Sequence, residues 1–423
     1  MALLSGKITL PMSLKILQLV PESLPTFRPD VAVLFGKYLP RHGVQCDIVG
    51  MPSQLPPQAQ GFASVRTAPF HASRLRRELA FQASCLRALF GVQRADCDAV
   101  QVRDMVPTGL IGLFMARIKG LPFYYWVSYL ISEGRVARAR ASLAQRQSLR
   151  GRLVLCKGLV EQWLLYRVLL PRADHVFVQS DAMARMVAAR GIAPERLTAV
   201  PMGVDMEVLG ARDIAPVRPA GWETVPLLAY LGTLDQSREL ERLLDALALV
   251  RQQAPDACLL LIGASDTPSD VDQLLAYAKR LGLADCVRVT GWLPSDQAWP
   301  LLAGADAALS YIPRGALYDV SSPTKLLEYL ALRMPAVGND SPDQVQVLQG
   351  SGAGWLTASA PAAMAQAMIE ILRDVPAARL RAEAGAAYIE AQRSYRVLAR
   401  DLAQQYYRLA GRAAPAVQAD VAS

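Results

Sequence analysis

Three stretches in the second half of this 423-residue chain combine residue types that can hold an anion or a hydroxylated ligand. The first is YDVSSPTKLLEYLALRMPAVGND (318–340). Here Ser321, Ser322 or Thr324 can cap a helix that starts near Pro323, so free N–H groups and the positive end of the helix dipole would meet a phosphate. Glu328 falls about one turn further in, among Leu326, Leu327, Leu330 and Leu332, and a carboxylate on so apolar a helix needs a partner. Ribose hydroxyls would be one; a salt bridge to Lys325 or Arg333 would be another. The second stretch, YLGTLDQSREL (230–240), places Gly232 at a strand end, where a backbone can be approached closely. Arg238 then stands near a helix start, free to meet a diphosphate or to pair with Glu239 and Glu241. In the third, VRVTGWLPSDQ (287–297), Gly291, Trp292 and Leu293 either present backbone to a nucleobase edge or form a turn around a packed tryptophan.

Such loops converge only if they follow parallel strands, because ligands of open α/β sheets bind at the carboxyl ends of the strands. The chain supplies that frame as short apolar runs alternating with longer helical patterns. Strands are expected at 14–21, 46–50, 99–102, 123–128, 175–180 and 197–201, with a helical pattern at 31–43. Residues 206–224 are rich in Pro, Gly and Ala without a clear period and read as a linker. The alternation restarts with strands at 226–232, 258–263, 287–291, 307–312 and 335–339, and helices at 239–253 and 271–282. In SYRVLARDLAQQYYRLAG (394–411), Val397, Leu398, Leu402, Tyr406 and Leu409 recur at near-helical spacing, predicting an amphipathic helix that ends at Gly411. The tail AAPAVQADVAS reads as loose.

A chain of this length suits two domains, and 52% hydrophobic with 19% charged residues favours a packed core over disorder. Six cysteines without CxxC spacing and three scattered histidines suggest neither a zinc site nor a disulfide framework. The first 20 residues are broken by Lys7, Pro11 and Lys15 and do not read as a signal peptide; residues 1–11 read as an extension, with Met12 a second possible start. The most apolar later run, VPTGLIGLFMA (106–116), is shorter than the ~20 residues a bilayer span needs.

From about residue 14 to 410, these loops in this order resemble the retaining GT-B glycosyltransferases of family 4. The likeness is carried by YLGTLDQSREL, by GWLPSDQAWPLLAGAD, by SSPTKLLEY, and by QSDAMARMVAARGIAPERLTAVPMGVD (179–205) ahead of the crossover. The resemblance implies an α/β fold of two Rossmann-like doubly wound domains facing a cleft, here 12–205 and 225–392, with a helix at 393–411 packing back on the first domain and the MGVD loop (202–205) facing the cleft. It makes Glu328 the ribose ligand and Arg238 the cation on the diphosphate. Gly232, Thr233, Gly291, Trp292, Leu293, Ser321, Ser322, Thr324 and Lys325 line the donor, and residues 312–320 touch its sugar. The family has an acid eight residues before Glu328 where this chain has Val320, with Asp319 one place off as a substitute. It has Arg where this chain has Thr233. In the first domain, PESLPTFRPD lacks paired glycines and FYYWVSYLISEG lacks a histidine, and Thr26, Arg28, Ser128 and Tyr129 are the acceptor-side candidates.

The implied reaction moves a sugar from a nucleotide-diphosphate sugar to a glycan or polyprenyl-diphosphate-linked acceptor, with retention and without metal or other cofactor, in bacterial exopolysaccharide, O-antigen or capsule assembly. Stabilisation of the departing diphosphate matters more there than a strong base. Two alternatives stay open: a catalytically silent relative serving a glycan-assembly complex, and a nucleotide-sugar epimerase of the same architecture, which would need acidic and histidine side chains in the cleft. Between Arg135 and Arg172 lie nine Lys or Arg and one acid, Glu161, an excess of +8 that equals the net charge of the whole chain. Joined to the apolar run 153–170, this segment points to an anionic membrane surface, and hence to a cytoplasmic protein held on the inner face of the cytoplasmic membrane; a solvated basic helix and a phosphate-backbone site are the other readings. No nucleic-acid-binding motif accompanies the charge.

Overall fold

The computed structural model describes residues 13–55, 60–145, 148–210 and 214–415. The extension read at 1–11 and the last eight residues of the tail lie outside the described residues. Strands such as FYYWV and CLLLI are apolar along their whole length and buried on both faces, which is the composition of parallel strands covered by helices. Seven of them form one parallel sheet: β1 (Leu14–Leu24), β2 (Val44–Pro52), β3 (Ser64–Thr67), β4 (Ala99–Arg103), β5 (Phe123–Val127), β6 (His175–Val178) and β7 (Leu197–Ala199), in the order β3-β2-β1-β4-β5-β6-β7. Six more form a second: β8 (Leu227–Leu231), β9 (Cys258–Ile262), β10 (Val287–Val289), β11 (Ala307–Ser310), β12 (Ala336–Asn339) and β13 (Trp355–Thr357), in the order β10-β9-β8-β11-β12-β13. Both sheets reverse direction beside their first strand, at β1/β4 and at β8/β11, and a reversal of this kind opens a crevice between neighbouring strand ends.

The two sheets belong to two compact units, one of Met1–Pro201 with Tyr395–Ser423 and one of Met202–Ser394. The segment 206–224, read from composition as a linker, is instead part of the second unit. It opens with a helix, Met206–Gly210, and buries Leu209 and Trp222 in that unit's core. Arg218 ties it down, donating to Asp306 at 2.6 Å and to the Val225 carbonyl at 2.7 Å.

The C-terminal helix, Tyr395–Leu409, packs within the first unit. Its apolar face buries Leu398, Leu402 and Tyr406, and full burial of one such side chain contributes about 1.5–3 kcal/mol. Tyr406 also donates to Gln101 at 2.7 Å, and Tyr407 to the Gly43 carbonyl at 3.1 Å. The helix closes through Gly411 at φ +65°, with the Arg412 amide reaching back to Tyr407 at 2.9 Å.

Candidate functional site

At the reversal in the second sheet, the loops after β8 and β11 come side by side. Gly232 leaves β8 at φ +149° and Gly263 leaves β9 at φ +151°. A Cβ on Gly263 would lie 1.9 Å from the Gly232 carbonyl oxygen, so the two backbones touch and only glycine fits. Gly263 also bridges to Gly291, which brings the loop after β10 alongside. A concavity of about 200 Å³ results, lined by Gly232, Thr233, Gly263, Ala264, Trp292 and Leu293, with the Trp292 ring exposed. Sequence reasoning named four of these six. Gly263 and Ala264 were missed, although a glycine closing the neighbouring strand was the available signal.

Two cations lie against the loop after β8, Arg238 from the loop itself and Lys325 from the helix Thr324–Ala331. Lys325 donates to the Tyr230 hydroxyl at 2.9 Å, and its side chain fills the space that a Cβ on Gly232 would occupy, 3.0–3.1 Å away. Arg238 donates through Nε to the Thr233 hydroxyl at 3.1 Å. The residue that stands where the family resemblance expects an arginine therefore aims the remaining one. Thr233→Val is accordingly expected to lower kcat about fivefold, the worth of one solvent-exposed hydrogen bond of ~1 kcal/mol, with little change in donor KM; steady-state kinetics checks it.

Glu328 is carried by the helix Thr324–Ala331, which Tyr329 pins across the reversal by accepting from the Leu231 amide at 2.9 Å and donating to the Leu309 carbonyl at 3.3 Å. The two salt bridges open to Glu328 in the sequence do not form. Arg333 turns to Glu383 at 3.4 Å and Lys325 to Tyr230. Its partner is the Trp299 indole N–H, and burial pushes its carboxyl up to about 7 against the pull of that hydrogen bond and of the Lys325 charge.

The side-chain cap expected for this helix does not form: Pro323 is the N-cap rather than the first helical residue, and the helix begins at Thr324. The Ser321 hydroxyl donates to the Tyr318 carbonyl at 2.6 Å; that of Ser322 donates to Asp343 at 2.9 Å and accepts from the Met202 amide at 3.0 Å. Arg393 completes this buried network on Asp343 at 2.7 Å, which holds the MGVD segment inside the second unit and occupies the Ser322 hydroxyl. Asp319, the candidate substitute acid, is gripped by Arg314 at 2.7 and 3.3 Å, and Arg314 also pairs with Asp340 at 2.8 Å. That carboxylate is committed to shaping its loop, whose Tyr318 donates to the Ser237 carbonyl at 3.0 Å beside Arg238.

In the first unit, Thr26, Arg28 and Ser128 are drawn into a charge network around Arg103, which is fully buried at the end of β4. Its guanidinium meets Asp30, with Nε 3.1 Å from Glu22 and 3.6 Å from Asp104. Arg28 donates to Asp30 at 3.1 and 3.2 Å, and the Thr26 hydroxyl accepts from the Arg28 amide at 3.1 Å. Ser128 donates to Asp104 through its amide at 2.8 Å and through its hydroxyl. Burial pushes the Glu22 and Asp104 carboxyls up; at Asp30 the two arginines outweigh burial and hold the pKa down. Tyr129 lines, with Asp104, Thr108, Arg135, Lys157 and Glu161, a concavity of about 310 Å³.

Two parallel-sheet units, with a cationic glycine loop at one reversal and a pocket at the strand ends of the other sheet, are the makings of a group-transfer enzyme. Residues 31–208 match the family model described as Glycosyltransferase Family 4, and residues 225–374 match that of Glycosyl transferases group 1. Between them these matches span strands β2 to β13, so each sheet carries a glycosyltransferase family domain, in the two-sheet arrangement of the GT-B fold. Over 185 residues it is 25% identical to the amylovoran biosynthesis glycosyltransferase AmsK of Erwinia amylovora, an alignment covering 44% of this chain and 43% of AmsK. The chain thus spans less than half the length of that curated relative. In fold it is similar to HepE of Anabaena, solved in complex with UDP and glucose, with TM-score 0.65 and 15% identity over 93% of this chain and 100% of HepE. It is also similar to sucrose-phosphate synthase of Thermosynechococcus elongatus, with TM-score 0.66 and 18% identity over 93% of this chain and 99% of that one.

Proposed function

We propose that this glycosyltransferase moves a sugar from a nucleotide-diphosphate sugar to a glycan or lipid-linked acceptor, with retention and without metal, in the assembly of a cell-surface polysaccharide. The observation that carries the reading is that Lys325 lies against Gly232 and Arg238 bonds Thr233, two residues lining the strand-end crevice, while Glu328 follows one turn along the helix that carries Lys325. Each group has a task there. Glu328 accepts from the ribose hydroxyls, displacing the Trp299 indole. Lys325, Arg238 and the helix amides neutralise the diphosphate as its bond to the anomeric carbon breaks, the acceptor hydroxyl attacks on the same face, and the hydroxyl proton passes toward the departing phosphate oxygen. The UDP complex of HepE supports the donor class, and the place of AmsK in amylovoran biosynthesis supports the acceptor class. Among the described residues no helix is long and apolar enough to cross a membrane, and the basic segment 135–172 supports a place on the anionic inner face of the cytoplasmic membrane.

The decisive experiment incubates the protein with UDP- and GDP-sugars and a polyprenyl-diphosphate saccharide, with and without EDTA, and measures nucleotide release and the anomeric configuration of the product. Release that survives EDTA and yields the donor's anomer is expected. UDP or GDP binding without turnover of any donor would favour the silent relative instead.

A further inference from the structure

Twelve of the 23 exposed large hydrophobic side chains among the described residues sit on three helices of the first unit, Arg74–Gly91, Val106–Ile118 and Leu149–Leu164, a concentration unlike the scattered singles of an ordinary surface. On Leu149–Leu164, Leu149, Leu153, Val160 and Trp163 recur at intervals of four, seven and three, forming one stripe opposite the side on which Gly158 and Leu165 are buried. Ile111, Phe114 and Ile118 do the same on the second helix, and Leu75, Leu79 and Phe90 on the first.

These helices lie on one face of the sheet. They belong to the successive crossovers β3–β4, β4–β5 and β5–β6, which all run in one direction along the strand order, and right-handed connections put such helices on a common side. The first packs on the second and the second on the third. Their charge is one-sided: eight Arg or Lys against Glu78 and Glu161, an excess of +6. Arg172, which shares a concavity with Arg117 of the second helix, adds one more cation beside these helices.

We propose that this three-helix face is the surface by which the enzyme lies on an anionic bilayer, with the apolar stripes in the interface and the arginines on lipid phosphates. The inference rests on the membrane part of the reading above and enlarges it, since two of the three helices lie outside 135–172. The same helices line the pocket beside Asp104 and Tyr129, so an acceptor with its lipid chain in the bilayer has its polar end at that pocket.

The test sediments the full-length protein with phosphatidylcholine vesicles, plain or carrying about 30% phosphatidylglycerol, a content that gives the strongly negative surface such a face requires. The wild type is expected to bind the anionic vesicles at least tenfold more tightly than the neutral ones. Phe114→Glu with Ile118→Glu, and Leu153→Glu with Trp163→Glu, should each weaken that binding about tenfold; melting temperature and UDP binding should stay put, because these side chains are already exposed. Wild-type affinity in the Phe114/Ile118 variant, with loss only in the Leu153/Trp163 variant, overturns the three-helix face but leaves membrane attachment through 135–172 standing. Failure of the wild type to bind anionic vesicles overturns both, and a wild-type dimer dissolved by the same substitutions would assign the face to a second copy of the chain.

Discussion

Glu328→Ala is expected to lower kcat/KM for the nucleotide-sugar by roughly a hundred- to a thousandfold while the protein stays folded. Two ribose hydroxyls on one carboxylate make two charge-assisted hydrogen bonds of ~1.5–2 kcal/mol each, and ~3–4 kcal/mol is two to three decades in rate. The pH profile separates this role from a structural one. The free carboxyl sits near 7, so acidification below that value converts the acceptor to a protonated group and raises donor KM, by as much as tenfold per pH unit in the limit. Glu328→Gln keeps the shape, loses the charge and should flatten the profile. Stability moves in the opposite sense. A carboxyl raised from 4.5 to about 7 in the fold contributes stability that is complete below 4.5 and is lost as pH rises through 7. Without donor, Glu328→Gln should therefore gain on the wild type at pH 8 and not at pH 4. A pH-independent KM in the wild type would sink the ribose assignment.

Glu328 draws notice locally, because a lone carboxylate on an apolar helix is an anomaly within nine residues of sequence, but its ribose role comes from the family resemblance. Its partner Trp299 does not, because the indole reaches it from another helix and no periodicity links the two. The same distinction runs through the fold. Strands with continuous apolar runs could be placed to within a few residues, whereas β3, reading SVRT, and the three-residue β13 carry no such run and were missed. Composition misjudged 206–224, since Pro and Gly mark turns as readily as linkers, and its anchors Leu209, Trp222 and Arg218 are revealed only by packing. The partners of the Ser322 hydroxyl and the Asp319 carboxylate, Asp343, Arg393 and Arg314, are likewise revealed only by packing. Charge counting found the basic segment 135–172, but not the helices Arg74–Gly91 and Val106–Ile118, whose stripes join it only through the handedness of the crossovers.

Arg103→Met should cost about 3–5 kcal/mol of stability, because removing one partner of a buried ion cluster leaves the others uncompensated. Arg103 follows an apolar run and reads as a strand end, yet it is the charge around which Glu22, Asp30 and Asp104 are buried. Arg28 alone cannot replace it: it reaches Asp30 at 3.1 Å and Glu22 at only 3.6 Å. The pH dependence identifies the cause. With Arg103 gone, all three carboxyls move up, so each binds a proton in the folded variant at a pH where the unfolded chain has released it. That contribution is complete below the unfolded values and is lost as pH rises through the new folded ones. The deficit relative to the wild type should be largest at pH 8 and shrink toward pH 4, as urea midpoints would show. A deficit that stays constant with pH would reduce Arg103 to a packing role. The same variant reports on the pocket, since Asp104 forms one wall of it and takes its position from Arg103 and Ser128. Acceptor KM should rise in Arg103→Met even at low temperature, where the fold persists, while donor KM stays unchanged because Glu328 and Arg238 belong to the other unit.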